Sequence, residues 1–94
     1  MKVKFSQEFY RIYKKKIDVR IRKSVNEQLE IFRENPFYDV LDNHELQDKW
    51  VGYRSIDITN DYRAVYEEIM EREDIVAYFV TLGTHKELYK KEKV

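Results

Sequence analysis

Residues 62–82 read YRAVYEEIMEREDIVAYFVTL, and this stretch decides the fold. Two runs rich in Val, Ile, Tyr and Phe, YRAVYEEI (62–69) and IVAYFVTL (75–82), flank the polar segment MERED. β-branched and aromatic residues suit a pleated, half-buried surface, so a polar break between two such runs predicts a hairpin. Five residues, four of them charged, suggest a loose connection. Upstream, WVGYRSIDI (50–58) is a third run, and Asn60-Asp61 supplies a turn signal before the second. Consecutive strands with short links predict an antiparallel meander.

Outward from this core, MKVKF (1–5) alternates Val3 and Phe5 with Lys2 and Lys4, the period of a half-buried strand. Ser6 and Asp18 are N-cap residues for two helices, predicted over 6–15 and 18–34. Ile17, Ile21, Val25, Leu29 and Phe32 recur at three- to four-residue spacing along the second. It should stop at Asn35-Pro36, because proline lacks the N–H and disfavours helical geometry in the residue before it. Residues 36–49 read as a connection. At the other end Thr84-His85-Lys86-Glu87 fits the T-x-x-E capping box, with His85 at the first helical position. Backbone N–H groups at a helix start can receive a phosphate. The predicted fold is α+β, one domain over residues 1–94: an antiparallel sheet of about four strands, a helical hairpin on one face and a short C-terminal helix.

Composition narrows the function. Cysteine is absent, which removes disulfides and thiolate metal sites. The longest apolar run, Ile75–Val80, is far short of the ~20 residues a spanning helix needs. A soluble, cytoplasmic protein with no membrane partner is expected. The net charge of zero conceals a split: residues 1–23 carry nine Lys/Arg against Glu8 and Asp18, while residues 24–94 carry nine against sixteen acids. The basic first part can serve as a phosphate-backbone footprint or simply as a solvated helical face.

His44 and His85 are the two histidines, and neither sits in a metal-ligand spacing such as H-E-x-x-H. P-loop, dinucleotide and G-x-S-x-G motifs are absent, so no metal or cofactor is expected. What remains as a candidate set is His44, Arg54, Asp57, Asp61, Arg63, His85 and Tyr89. These types suit phosphodiester cleavage, which needs a base, an acid and a cation facing the phosphorus oxygens. Each also has a structural explanation: Arg63 as a strand arginine paired with a neighbouring glutamate, Asp61 as a turn residue, Tyr89 as a core anchor.

Taken together, HELQDKWVGYRSIDITNDYRAVY and VTLGTHKELY resemble the RelE/ParE superfamily of small bacterial toxins, and within it the YafQ-like branch. His44, Leu46, Gly52, Tyr53, Arg54, Asp61, Tyr66, Gly83, Thr84, His85 and Leu88 stand where that branch's pattern has them, and Tyr89 replaces a phenylalanine. The motifs span residues 36–90. The resemblance implies a toxin of a type II toxin–antitoxin pair, an endoribonuclease that cuts mRNA on the ribosome, with a cognate antitoxin as partner. It implies catalytic roles for His44, Asp61, Arg63 and His85, with Arg63 on the scissile phosphate, and RNA contacts by Arg54, Asp57 and Tyr89. The antitoxin should wrap the toxin, with the basic helices and the acidic EEIMERED as the candidate contacts. Two positions depart from the pattern: Asp57 stands where the branch has a second catalytic histidine, and Thr81 where it has an arginine. A ParE-like gyrase poison, or a catalytically weakened antitoxin-binding homologue, are the alternatives.

Overall fold

The computed structural model describes residues 1–89; residues 90–94, which include the last residue of the span 36–90 assigned to the toxin motifs, lie outside the described residues. Two long strands form its centre, β4 (Tyr62–Glu71) and β5 (Asp74–Thr84), paired antiparallel. The hairpin between them is tighter than MERED suggested. Glu71 pairs with Asp74, leaving Arg72-Glu73 as a two-residue turn with Arg72 in the left-handed region at φ 58°. A positive φ at the first central residue matches the right-handed twist of the strands, as in the primed turns.

The remaining strands are β1 (Lys2–Phe5), β2 (His44–Glu45) and β3 (Arg54–Asp57), and the sheet order is β1-β5-β4-β3-β2. Among the described residues there are thus five strands where about four were expected. The extra one is the two-residue β2, too short to read from any pattern. β1 lies parallel to β5 (Val3 opposite Ala77); the long connection a parallel pair needs runs through the helical hairpin and then strands β2, β3 and β4. β3 is shorter than the run 50–58, because Asp48–Trp50 form a 3₁₀ turn and Gly52 takes φ 92°.

α1 (Gln7–Lys15) and α2 (Val19–Glu34) start where their caps sit: Ser6 Oγ accepts the Phe9 N–H at 3.0 Å and Asp18 Oδ1 the Ile21 N–H at 3.0 Å. Both helices cover one sheet face. Phe32 of α2 meets Tyr66 of β4 and Phe79 of β5 at ring-centroid distances of 5.1 and 5.2 Å, and those two rings are 5.0 Å apart. All three are fully buried. The opposite face carries a smaller cluster of Leu46, Val65 and Leu88, flanked by Trp50, Tyr53, Val80 and Tyr89. α3 (His85–Leu88) packs on this second face through Leu88. No helix among the described residues is long and apolar enough to cross a membrane.

Candidate active site

Strand register assigns the polar residues to the second face. Ser55 lies opposite both His44 and Val65, and Asp57 lies opposite Arg63. Because side chains alternate along a strand, Arg63 shares the face of Val65, while Ala64 and Tyr66 point into the helix-covered core. Here a cleft of about 370 Å³ opens, walled by His44, Arg63, His85 and Tyr89 together with Asp42 and Glu45. Four residues singled out from separate stretches of sequence therefore meet.

His44 is held by its neighbour. Its Nδ1 is 2.7 Å from the carbonyl oxygen of Asp42, which can only accept, so Nδ1 carries the hydrogen and Nε2 of the neutral ring keeps its lone pair. Asp42 presents that carbonyl from the left-handed region, φ 45°. Asn43 anchors the same loop. Its amide donates to Pro36 O at 2.8 Å and Tyr66 Oη at 2.7 Å, and its Oδ1 accepts from Arg54 Nε at 2.8 Å.

His85 is fixed from its backbone. Its N–H donates to Asp61 O at 2.8 Å, and its ring meets the Tyr89 ring edge-on at 4.6 Å. Both halves of the capping box form, Thr84 Oγ1 accepting from Glu87 N and Glu87 Oε1 from Thr84 N. The predicted phosphate seat at this helix start is corrected: α3 is a single turn, and the N–H groups of His85 and Glu87 are already engaged. Trp50 Nε1 donates to Leu88 O at 2.9 Å, satisfying a terminal carbonyl and tying α3 to the loop before β3.

Arg63 is heavily engaged. Its Nη1 donates to the carbonyls of Thr59 (2.9 Å), Asn60 (3.2 Å) and Tyr62 (3.1 Å), and its Nε lies 2.9 Å from Asp57 Oδ1. The last contact is electrostatic, since Oδ1 is buried without an aligned donor. Burial pushes the Asp57 carboxyl above its usual range; Arg63 and His44 pull it down and Asp42 pushes it up. Asp61 adds its carbonyl beneath His85, but its exposed side chain is not part of the cleft wall. Arg54 stands apart from the cleft, bonded to Asn43, 3.5 Å from Glu45 and stacked 5.2 Å from the Phe37 ring. Thr81, opposite Val65, is buried. No cluster of three or more potential ligands among the described residues could hold a metal ion.

Sequence reading missed Asp42, Asn43 and Trp50. The single tryptophan and the Asp-Asn-His run were visible signals, but their partners come from residues 36, 54, 66 and 88, which only folding brings close.

Solved structures share this architecture. A YoeB/ParE toxin from Agrobacterium tumefaciens superposes with a TM-score of 0.72 at 21% identity, covering 90% of this chain and 99% of that one. YafQ from E. coli gives 0.67 at 22%, covering 93% and 96%. A YoeB-YefM toxin-antitoxin heterotetramer from Staphylococcus aureus gives 0.67 at 22%, covering 90% and 97%. At such identities the likeness speaks for the fold. No curated protein matches the sequence. The family described as "Bacterial toxin of type II toxin-antitoxin system, YafQ" matches residues 1–90, a span that contains the helical hairpin, the whole sheet and every wall of the cleft, and the chain belongs to that family.

Proposed function

We propose that this chain is the toxin of a type II toxin–antitoxin pair and cleaves mRNA on the ribosome by side-chain acid/base catalysis. The supporting observation is that His44, Arg63 and His85 wall one cleft. The free Nε2 of His44 takes the proton from a ribose 2′-hydroxyl, whose oxygen attacks the adjacent phosphorus. The bond from phosphorus to the 5′ oxygen breaks, and His85 protonates that oxygen as it leaves. The products are a 2′,3′-cyclic phosphate and a free 5′-hydroxyl. Arg63 faces the charge developing on the phosphorus oxygens. Asp61 positions His85 through its carbonyl, and the Tyr89 ring offers a stacking surface for a base.

Purified protein in a reconstituted translation system should generate new 5′ ends within translated messages. His85→Ala and His44→Ala should each slow cleavage by about 10²–10⁴-fold, the usual contribution of an acid or base, with unchanged circular dichroism. Full-rate cutting by both variants would remove the histidines from the reaction. Weak cutting by the wild-type protein would favour the weakened-homologue reading, to which the Arg63–Asp57 contact and the buried Thr81 contribute.

The antitoxin partner is part of the same reading. Of the two candidate contacts, EEIMERED is partly neutralised within the chain, Glu71 by Lys4 and Asp74 by Lys2. The helical hairpin instead presents a groove of about 290 Å³ lined by Phe5, Phe9, Tyr10, Tyr13 and Leu29 with Glu30 and Arg33, Tyr10 being half exposed, next to the lysines of α1. An acidic, amphipathic antitoxin segment fits that combination of shape and charge.

A further inference from the structure

Arg63 and Asp57 are directly opposed on neighbouring strands, so their contact is built into the sheet. A guanidinium grips a phosphate best through two adjacent N–H groups. Of the two edges available, the one containing Nη1 is consumed by the carbonyls of Thr59, Asn60 and Tyr62. The other edge, Nε with Nη2, is half covered by Asp57 Oδ1 at 2.9 Å, while Nη2 has no partner among the described residues. The cation the cleft offers to RNA is therefore shielded by an internal anion. Asp42 and Glu45 in the cleft wall add negative charge on the same side.

Asp57 is poorly rewarded for holding this position. Its Oδ1 is buried yet meets no aligned donor, so the contact is a charge pairing without a well-made hydrogen bond. An incoming phosphate, with several acceptor oxygens, would make better use of the Nε/Nη2 edge once the carboxylate is displaced.

We propose that Asp57 is an autoinhibitory anion: it occupies the phosphate-gripping edge of Arg63, keeps the resting cleft closed to isolated phosphate groups, and yields only to a polyanion held by contacts elsewhere. This rests on the reading of Arg63 as the phosphate-binding cation. It assigns Asp57 the opposite of an RNA-contacting role.

The test is isothermal titration calorimetry of full-length protein with inorganic phosphate, with NMR of the Arg63 Nε–H resonance locating the contact in the variants that keep Arg63. Asp57→Asn should bind phosphate at least tenfold more tightly than wild type, and the gain should vanish in Asp57→Asn/Arg63→Ala. Asp57→Ser, which also removes the charge, serves if the Asn variant does not fold. Equal affinity in wild type and the uncharged variants, or a gain that survives loss of Arg63, overturns the proposal. The two readings separate in the same proteins. Tighter phosphate binding with no message cleavage by any variant keeps the shield and sinks the nuclease. Message cleavage by wild type, with no tighter binding in the uncharged variants, keeps the nuclease and sinks the shield.

Discussion

Asn43 illustrates how one side chain can set up a site it does not enter. Its orientation is dictated: Pro36 O can only accept and Arg54 Nε can only donate, so the amide nitrogen and oxygen have no freedom to exchange. Asn43→Ala leaves three part-buried groups without partners and loosens the loop that carries His44. We expect a loss of about 1–3 kcal/mol in unfolding free energy, measured by urea titration, with a fall in cleavage. Asn43→Asp should recover the Arg54 contact but not the donation to Pro36 O, and so only part of the stability.

At the scale of elements, the caps and turns supply measurable increments. Removing the Thr84 hydroxyl should cost about 1 kcal/mol and fray α3, visible as faster amide exchange at Glu87 and Leu88. Arg72 holds a left-handed turn position that glycine occupies without penalty. Arg72→Gly should raise stability by about 0.5 kcal/mol, the steric relief slightly exceeding the added chain entropy, and Arg72→Val should lower it. The pH dependence has two opposed components. Hydrogen bonding from the Thr84 backbone and hydroxyl lowers the Glu87 pKa, so its contribution is present above the ordinary glutamate value and lost as pH falls through the lowered one. Burial raises the Asp57 pKa, so its contribution is present below the ordinary aspartate value and lost as pH rises through the raised one. Thermal melts across the acid range should show Glu87→Gln flattening the first loss and Asp57→Asn the second.

For the whole molecule, stability rests on the helix-covered face. Phe79 touches Phe5, Phe9, Phe32 and Tyr66 and is fully buried. Phe79→Ala should cost about 3–5 kcal/mol in a denaturant titration, a large fraction of what a domain this size possesses. Mutations on the cleft face should cost less, because the cluster there is small. Sequence alone determined what is local: the two helices and their caps, the hairpin strands, the capping box with His85 at its first helical position, and the toxin motifs. Short-range periodicity and hydrogen-bonding chemistry dictate those features within a few residues of themselves. Only the tertiary structure decided the fifth strand, the parallel placement of β1, the three-way grip of Asn43 and the pairing of Arg63 with Asp57. Each depends on groups from separate parts of the chain meeting across a sheet, and no local pattern encodes which partner an exposed polar side chain will find.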